Sequence, residues 1–478
     1  MSNILRLAGA SGLLAILLTG CAVGPEYRRP TIEVPAAFKE AHQATGETLQ
    51  WKQAQPADEL ERGHWWSVFQ DPTLDALEKQ AMQANQNLRA AAARVRQARA
   101  LRQGAGADRY PELTVGTGPT RQRTSDAGPQ GGSTATAWRA QAGISYEADL
   151  FGRVASHLDA ASADAQQAQA LYQSVMLALQ ADVAQAYFTI RQLDAESMLY
   201  AHTVSLRRAG LDLLETRFHE GDITELDVTR ARSELASAQS QALEAARQRA
   251  AAEHGLALLL GRAPSEFTLA AQELHRISID IPAGLPSSLL ERRPDIAAAE
   301  RAVAAANARI GEARAAFFPQ IILTGAFGYE STDLGDLLRW SSRSFILGPL
   351  AGTMLSLPLF DGGRRQSRVD QARARYEEDV ALYRQSVLQA FKEVEDGLSA
   401  LRLLDEQSKT QDVAATSASR AAELSKAQYD AGSISYLEVI DADREVLRHR
   451  QTGVRLDGLR AQATVQLIRA LGGGWSQS

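Results

Sequence analysis

Cysteine is almost absent from this sequence of 478 residues, which contains only Cys21. A single cysteine excludes an internal disulfide and any metal site built from several thiolates. The eight histidines are scattered, with no HExxH motif and no paired ligand spacing, and the sequence has no GxSxG, P-loop or dinucleotide-binding glycine motif. We therefore expect a protein that is not an enzyme and that needs no metal ion or other cofactor.

Aromatic residues and clustered charge are also scarce. Aromatic residues make up only 6% of the chain, and the hydrophobic fraction of 45% is dominated by alanine. This composition is typical of long, closely packed helices rather than of a globular interior. The net charge of −6 arises from both signs mixed along the chain, so nothing indicates nucleic acid as a partner.

A hydrophobic run long enough to cross a membrane as a helix is missing after Cys21, where no stretch of about 18 apolar residues occurs. Residues 1–20 instead have the features of a signal peptide, with Arg6 near the start and the apolar run Leu13–Leu18. Leu18–Cys21 resembles a bacterial lipobox, so we expect cleavage after residue 20 and acyl chains on Cys21. Several such chains would anchor the protein stably. The alternative is a free thiol behind an ordinary signal peptide.

A helix–turn–helix pattern occurs twice in the chain at a constant separation. The matching residues are Phe218 and Tyr429, Gly221 and Gly432, Leu226 and Leu437, Val228 and Val439, and Gly261 and Gly472. Self-similarity at a fixed offset indicates a duplicated structural unit. We therefore predict two structural repeats, residues 71–290 and 291–478, after an N-terminal arm of residues 21–70.

Helices of unusual length are predicted in both repeats. Residues 153–218 and 364–429 each contain no proline and a single glycine. A continuous helix of this size measures about 100 Å at 1.5 Å per residue. A shorter helix is predicted from about Leu74 to Gly104, because its small and apolar residues follow a heptad spacing.

Three large aromatic side chains, Trp65, Trp66 and Phe69, stand directly before that shorter helix. We interpret them as packing residues that lie against neighbouring helices rather than as a ligand site. Asp71 and Pro72 follow, and this pair is typical of a helix start, with a capping carboxylate before a proline at the first helical position.

Strand patterns lie between the helices, in candidate β-hairpins at about residues 111–150 and 319–360. From Trp138 to Leu150 apolar residues alternate with polar residues or glycine, which gives one apolar and one polar face. Period-two alternation of this kind is typical of a membrane barrel strand. A soluble hairpin is the alternative, but it would not explain why both hairpins adjoin such long helices.

The four candidate strands of one chain cannot form a complete membrane sheet. An open sheet in lipid leaves two edges of unpaired backbone groups, and closure into a barrel removes both. Three copies supply twelve strands, which suffices for a barrel with a water-filled interior. We therefore predict a mainly α-helical fold with membrane β-structure, in which a trimeric 12-stranded β-barrel is continued by a 12-helix α-barrel.

Several segments together resemble the outer-membrane factors of tripartite efflux systems, the TolC family, and in particular their lipoprotein branch of OprM/NodT type. The segments that carry the resemblance are Leu18–Tyr27, Trp65–Leu74, Glu291–Ile296, Ala308–Pro319 and Ala470–Trp475. The resemblance implies a homotrimeric, passive exit duct that exports drugs or other small solutes. It also implies a lipid-anchored position in the bacterial outer membrane, reaching into the periplasm. A periplasmic adaptor and an inner-membrane transporter of RND type would be its partners.

Two alternatives to a solute duct remain open at this stage. One is an outer-membrane conduit for type I protein secretion, which would use the same channel. The other is a structural periplasmic lipoprotein that forms a coiled-coil spacer, which the heptad spacing would fit but the two hairpins would not.

The resemblance also assigns candidate site residues at the two turns. Leu437 and Asp441, which share a helix face four residues apart, would close the periplasmic end of the channel, and Glu438 would add a second acidic ring. The alternative is that these carboxylates only stabilise a helix start, where acidic groups are favourable. The turns at Gly221 and Gly432 would receive the helical hairpin of the adaptor.

Overall fold

The computed structural model describes residues 23–35, 37–40, 63–127, 131–277, 279, 291–347, 355–357 and 359–473. The signal peptide predicted at residues 1–20 and the lipidation predicted at Cys21 lie outside these ranges, as does much of the arm predicted at residues 21–70.

The described part of the chain is mainly helical, with one sheet. Its α-helices are α1 (Pro72–Ala84), α2 (Gln86–Ala107), α3 (Arg153–His219), α4 (Glu225–Leu259), α5 (Pro294–Ala315), α6 (Arg364–Asp430) and α7 (Tyr436–Ala470). Its strands are β1 (Glu112–Arg123), β2 (Thr134–Ala148), β3 (Gln320–Ser331), β4 (Arg343–Leu347) and β5 (Leu355–Ser356).

The long helices are present where the sequence predicts them, and their lengths come in pairs. Helices α3 and α6 have 67 residues each, α4 and α7 have 35, and α2 and α5 have 22. Among the described residues, no helix combines the length and the apolar character needed to cross a membrane.

The helix predicted from Leu74 to Gly104 is wrong as a single element, because the chain breaks at Asn85. The Asn85 backbone is extended (φ −62°, ψ 128°), and its side-chain oxygen accepts a hydrogen bond from the Leu88 N–H at 3.0 Å. Its side-chain amide donates to the Leu259 carbonyl of α4 at 2.9 Å. Asparagine therefore caps α2 and ends α1, a role for which its short polar side chain is well suited.

The strands form an antiparallel sheet in the order β1–β2–β3–β4, and β5 also pairs with β3. The first hairpin is confirmed, and its strand β2 also pairs with β3 of the second hairpin. In the second hairpin, predicted at about residues 319–360, β4 begins at Arg343, opposite Tyr329. Residues 348–354, between β4 and β5, lie outside the described ranges.

The two faces of this sheet differ in chemistry. Directly paired residues share a face, so the pairings Val115–Ala142, Ala142–Phe327 and Phe327–Phe345 define one apolar row across four strands. The three large side chains of this row are 87%, 59% and 73% exposed in the single chain. On the opposite face Gln141 donates a hydrogen bond to Ser344, and Arg139 pairs with Glu330 at 3.2 Å. The alternation predicted for β2 is therefore confirmed.

The chain divides into two compact units. The first unit comprises residues up to 32, 93–169 and 298–385 and contains the sheet, whereas the second comprises residues 33–92, 170–297 and from 386 onwards. A buried apolar cluster of the second unit includes Trp65 and Trp66, whose rings meet edge to face at 6.0 Å. The packing role predicted for these aromatic residues is confirmed.

Candidate functional site

The candidate site lies in the second unit, at the two turns that join its long helices. The first turn connects α3 to α4 through Gly221 (φ +85°), and the second connects α6 to α7 through Gly432 (φ +74°). The Gly221 N–H donates to the Phe218 carbonyl at 3.0 Å, and the Gly432 N–H donates to the Tyr429 carbonyl at 2.8 Å. Both helices therefore end in a left-handed residue, a conformation that glycine adopts without steric cost.

Both glycines are exposed in the single chain. A Cβ atom added to Gly221 or to Gly432 would meet no atom within 4 Å. Backbone conformation, rather than close packing within the chain, therefore accounts for glycine at these positions. The structure places both residues predicted for adaptor docking at open turns.

A small apolar cluster supports the turns from within the unit. Its buried members are Leu211, Leu214, Val228 and Ala231, and Tyr436 packs against it. The Tyr429 ring lies 5.4 Å from the Tyr436 ring, and the Arg217 guanidinium lies 5.6 Å from the centre of the Tyr429 ring. These contacts hold the first turn of α7 against the α3–α4 pair.

The residues predicted to form the gate lie on the exposed side of the first turns of α7. Leu437, Glu438 and Asp441 are exposed, whereas Val439 and Ile440 between them are buried. Leu437 and Asp441 are one helical turn apart and share a face. The helix therefore packs one side inward and leaves the three predicted gate residues free to face other chains.

A chain of alternating charges connects Asp441 to the other helices of the unit. Arg444 pairs with Asp441 at 3.0 Å and with Glu234 of α4 at 2.5 Å. Glu234 also pairs with Arg207 of α3 at 2.8 Å, and its side chain is only 12% exposed. Hydrogen bonding to Glu234 raises the pKa of Arg444, so this guanidinium stays charged at physiological pH.

The Arg444–Glu234 pair is the element that sequence reasoning missed. Asp227 is the first-repeat counterpart of Glu438, and its position in the sequence predicts a pairing with a basic residue such as Arg230 or Arg444. The structure confirms the pairing with Arg230, at 3.9 Å, but Arg444 pairs with Glu234 instead. The Asp227 carboxylate also accepts a hydrogen bond from the Thr224 hydroxyl at 2.9 Å, and this contact fixes it at the start of α4.

The predicted gate residues combine carboxylates with an apolar side chain on the exposed side of α7. Within the described ranges, no group of three or more histidine, cysteine, aspartate or glutamate side chains is placed to hold a metal ion. The exposed acidic and apolar groups of α7 sit on one face, and a partly buried ion pair holds that helix to its neighbour.

Known proteins resemble this chain along nearly its whole length. The family model described as "Outer membrane efflux protein" matches residues 77–262 and 285–473. The cation efflux system protein CusC of Escherichia coli O6:H1 (strain CFT073) is 33% identical over 470 residues, which are 97% of this chain and 98% of CusC. The outer membrane protein OprJ of Pseudomonas aeruginosa is 35% identical over 475 residues, 98% of this chain and 96% of OprJ.

A solved structure shows the same fold. The crystal structure of the open state of the MtrE outer membrane channel of Neisseria gonorrhoeae superimposes with a TM-score of 0.80 at 28% identity. It covers 95% of this chain and 98% of MtrE. Family match, relatives and fold agree across both halves of the sequence, and the chain belongs to the family of outer membrane efflux proteins.

Proposed function

We infer that this protein is the outer-membrane exit duct of a tripartite efflux pump and that drugs or other small solutes pass through it without chemical change. The observation that carries this inference is the family match in both halves of the chain, together with relatives of the same length that belong to efflux systems. The protein is not an enzyme in this role, because solutes move through the duct under the drive of other components.

The sheet supports the trimeric barrel. Its exposed apolar row at Val115, Phe327 and Phe345 suits lipid, and its opposite face carries the polar contacts of Gln141 and Arg139. Strands β4 and β5 both pair with β3, so the sheet is four strands wide in the described residues. Three copies would pair β1 of each chain with the fourth strand of the next and close a 12-stranded barrel.

The paired helix lengths support the proposed division into two repeats. They also support a ring of helices that continues the proposed β-barrel. The equal lengths of α3 and α6, and of α4 and α7, fit the division into residues 71–290 and 291–478. In a trimer these helices would form the ring of twelve that continues the barrel into the periplasm.

Leu437 and Asp441 close the periplasmic end in this proposal. Three copies of Leu437 form an apolar ring that resists wetting, and three copies of Asp441 form a carboxylate ring that repels anions. Glu438 adds a second acidic ring. Opening requires α7 to move away from α4, so the Arg444–Glu234 pair must break in each protomer.

The exposed turns at Gly221 and Gly432 are the proposed docking points of the periplasmic adaptor. An adaptor helix could approach these backbones closely, because among the described residues no neighbouring group lies within 4 Å of either added Cβ atom. An inner-membrane transporter of RND type completes the pump, and it rather than the duct selects the cargo.

The start of the described chain supports an anchor at Cys21. Two residues after Cys21, the Val23 N–H donates to the Phe151 carbonyl at 3.5 Å, directly beyond the end of β2. The Asn307 side chain donates to the Pro25 carbonyl at 2.9 Å and fixes the segment further. An acylated Cys21 would therefore lie beside the strand ends, at the surface of the outer membrane.

Single-channel recording tests the proposed function. Protein purified in detergent and added to a planar lipid bilayer should produce discrete conductance steps when a voltage is applied. Neither a nucleotide nor an ion gradient should be needed. Insertion into the bilayer with no conductance, both in the parent and in a variant with Leu437 and Asp441 replaced by alanine, would contradict an exit duct.

A further inference from the structure

A cleft of about 460 Å³ opens in the first unit among helices α3, α5 and α6. Besides four alanines, its lining includes four arginines, one carboxylate and one amide: Arg153, Arg309, Arg368, Arg375, Glu312 and Gln371. Such a concentration of guanidinium groups in one concave site indicates an anionic ligand.

Three of the four guanidinium groups are oriented by carboxylates around the cleft. A guanidinium carries five N–H donors, so one such pair fixes its orientation and leaves donors for a ligand. The pairs are Arg153 with Glu147 at 2.6 Å, Arg309 with Asp164 at 2.5 Å, and Arg375 with the buried Asp379 at 3.0 Å.

Arg368 differs from the other three arginines of the lining, because none of the described carboxylates pairs with it. Within the part of the chain that the structure describes, its guanidinium has neither an ion pair nor a hydrogen bond, and the Gln371 side chain one turn away is likewise without a partner. The only carboxylate in the lining, Glu312, contacts the His157 ring at 3.2 Å, a pair that balances its charge only when the imidazole is protonated. A ligand anion would therefore meet an unpaired cation and a free amide side by side.

The cleft lies where strands pass into helices. Arg153 is the first residue of α3 and follows closely on the end of β2 at Ala148. Ala316 of the lining stands between the end of α5 and the start of β3 at Gln320. If the strands cross the outer membrane, the cleft is level with the headgroups of its periplasmic leaflet.

We propose that this cleft binds a phosphate group, either the phosphodiester of a phospholipid headgroup or free inorganic phosphate. Phosphate oxygens accept several hydrogen bonds at once, and the planar guanidinium matches their geometry better than any other side chain. Basic pockets next to a membrane surface bind lipid headgroups by the same chemistry, and the alanines of the lining leave apolar space beside them. The lipid source, though not the anion site itself, rests on the proposed function.

Native mass spectrometry of the full-length, delipidated protein in detergent tests the proposal. The probes are phosphatidylglycerol, diacylglycerol with the same acyl chains, and inorganic phosphate as a competitor. Phosphatidylglycerol should bind and diacylglycerol should not. Arg368→Ala should weaken phosphatidylglycerol binding at least fivefold, and Arg368→Lys should weaken it less.

The matched control is Arg373→Ala, which removes the same charge from the same helix outside the cleft, where Arg373 has only a 3.9 Å contact with Asp370. It should leave binding within about twofold of the parent. Displacement of the lipid by inorganic phosphate would show that the anion alone suffices, and resistance to displacement would show that the headgroup is the ligand. Equal binding of both lipids, or equal losses in Arg368→Ala and Arg373→Ala, would overturn the proposal.

Conductance of the same samples separates this test from the proposed function. The Arg368→Ala protein should still produce channel steps, since the residue lies far along α6 from the gate segment of α7. Conductance steps without selective lipid binding would refute only the proposal that the cleft binds phosphate. Selective lipid binding without conductance steps would refute only the proposal that the protein is an exit duct.

Discussion

The two helix–helix turns share one backbone geometry but differ in the charges that follow it. Both end in a left-handed glycine, and both carry a leucine at the same distance beyond it, Leu226 and Leu437. The position of Asp441 in the second turn is occupied by Arg230 in the first. Backbone duplication therefore built two equal turns, and the charge one helical turn beyond each leucine has opposite sign in the two copies.

The partners of these charges differ as well. Arg230 pairs with Asp227 within the same helix, so this ion pair does not link the first turn to another helix. Asp441 pairs with Arg444, which reaches across to Glu234 on another helix. In the proposed gate the second turn is the part that moves, and the Arg444–Glu234 pair is the contact that would hold it closed.

The largest expected effect separates the two turns by function. Replacing both Leu437 and Asp441 with alanine should raise single-channel conductance about tenfold or more, because it removes the apolar ring and the carboxylate ring together. The matched variant with Leu226 and Arg230 replaced by alanine should leave conductance within about twofold of the parent. Equal increases in both variants would show that the turns are functionally alike.

A smaller effect is expected from the ion pair alone. Arg444→Ala removes from each protomer a charge-assisted bond to the partly buried Glu234, worth about 1 kcal/mol, and should raise the open fraction at least fivefold. Arg448→Ala is the control, since the contacts of Arg448 with Glu445 and His449 stay within its own helix. Open times from single-channel records give the ratio, and an unchanged open fraction in Arg444→Ala would mean that this pair does not hold the closed state.

Glu78 offers a buried counterpart to the exposed acids of the second turn. Neither of its carboxylate oxygens has a hydrogen-bond partner among the described residues, and burial raises the pKa of Glu78 to about 9. The side chain is therefore neutral in the folded protein at pH 7. Its contribution to stability is complete below the ordinary glutamate pKa of 4.5 and is lost as pH rises through about 9.

Glu78→Gln keeps the shape of that neutral side chain and abolishes its titration. The Tm of the variant should exceed that of the parent by several degrees at pH 8 and match it closely at pH 4. Glu438→Gln, at an exposed acid, should leave the pH dependence of Tm unchanged. Parallel Tm curves for Glu78→Gln and the parent would contradict a buried neutral carboxyl.

The smallest effect should be the same at both turns. Gly221→Ala and Gly432→Ala each force a side chain into the left-handed region, at a cost of about 1 kcal/mol per protomer. Because nothing crowds either position in the single chain, we expect equal falls in Tm of about 2 °C or less. A much larger loss at one glycine would show that the two backbones are not equivalent.

Local sequence signals predicted the long elements well. Residues 153–218 and 364–429 were expected to be continuous helices because they lack proline, and α3 and α6 agree closely. The alternation in β2 predicted its two faces, since side-chain direction in a strand depends only on position. The face shared by Leu437 and Asp441 follows in the same way from helical spacing.

Features that depend on distant partners were not predictable. The break at Asn85 is stabilised by the Leu259 carbonyl, which lies 174 positions away in the chain. The start of β4 is set by its pairing with β3 rather than by its own alternation. Arg444 has carboxylates nearby in sequence, yet its strongest contact is Glu234, 210 positions away, and no local pattern marks that choice.

In the proposed barrel, one chain supplies only a third of the closed membrane sheet. Native mass spectrometry of the protein extracted from bacterial outer membranes in mild detergent measures this directly. The predicted result is a particle whose mass equals three copies of the mature chain. This particle should dissociate when a denaturing detergent unfolds the sheet. A single chain that stays folded and dispersed in water without detergent would contradict it.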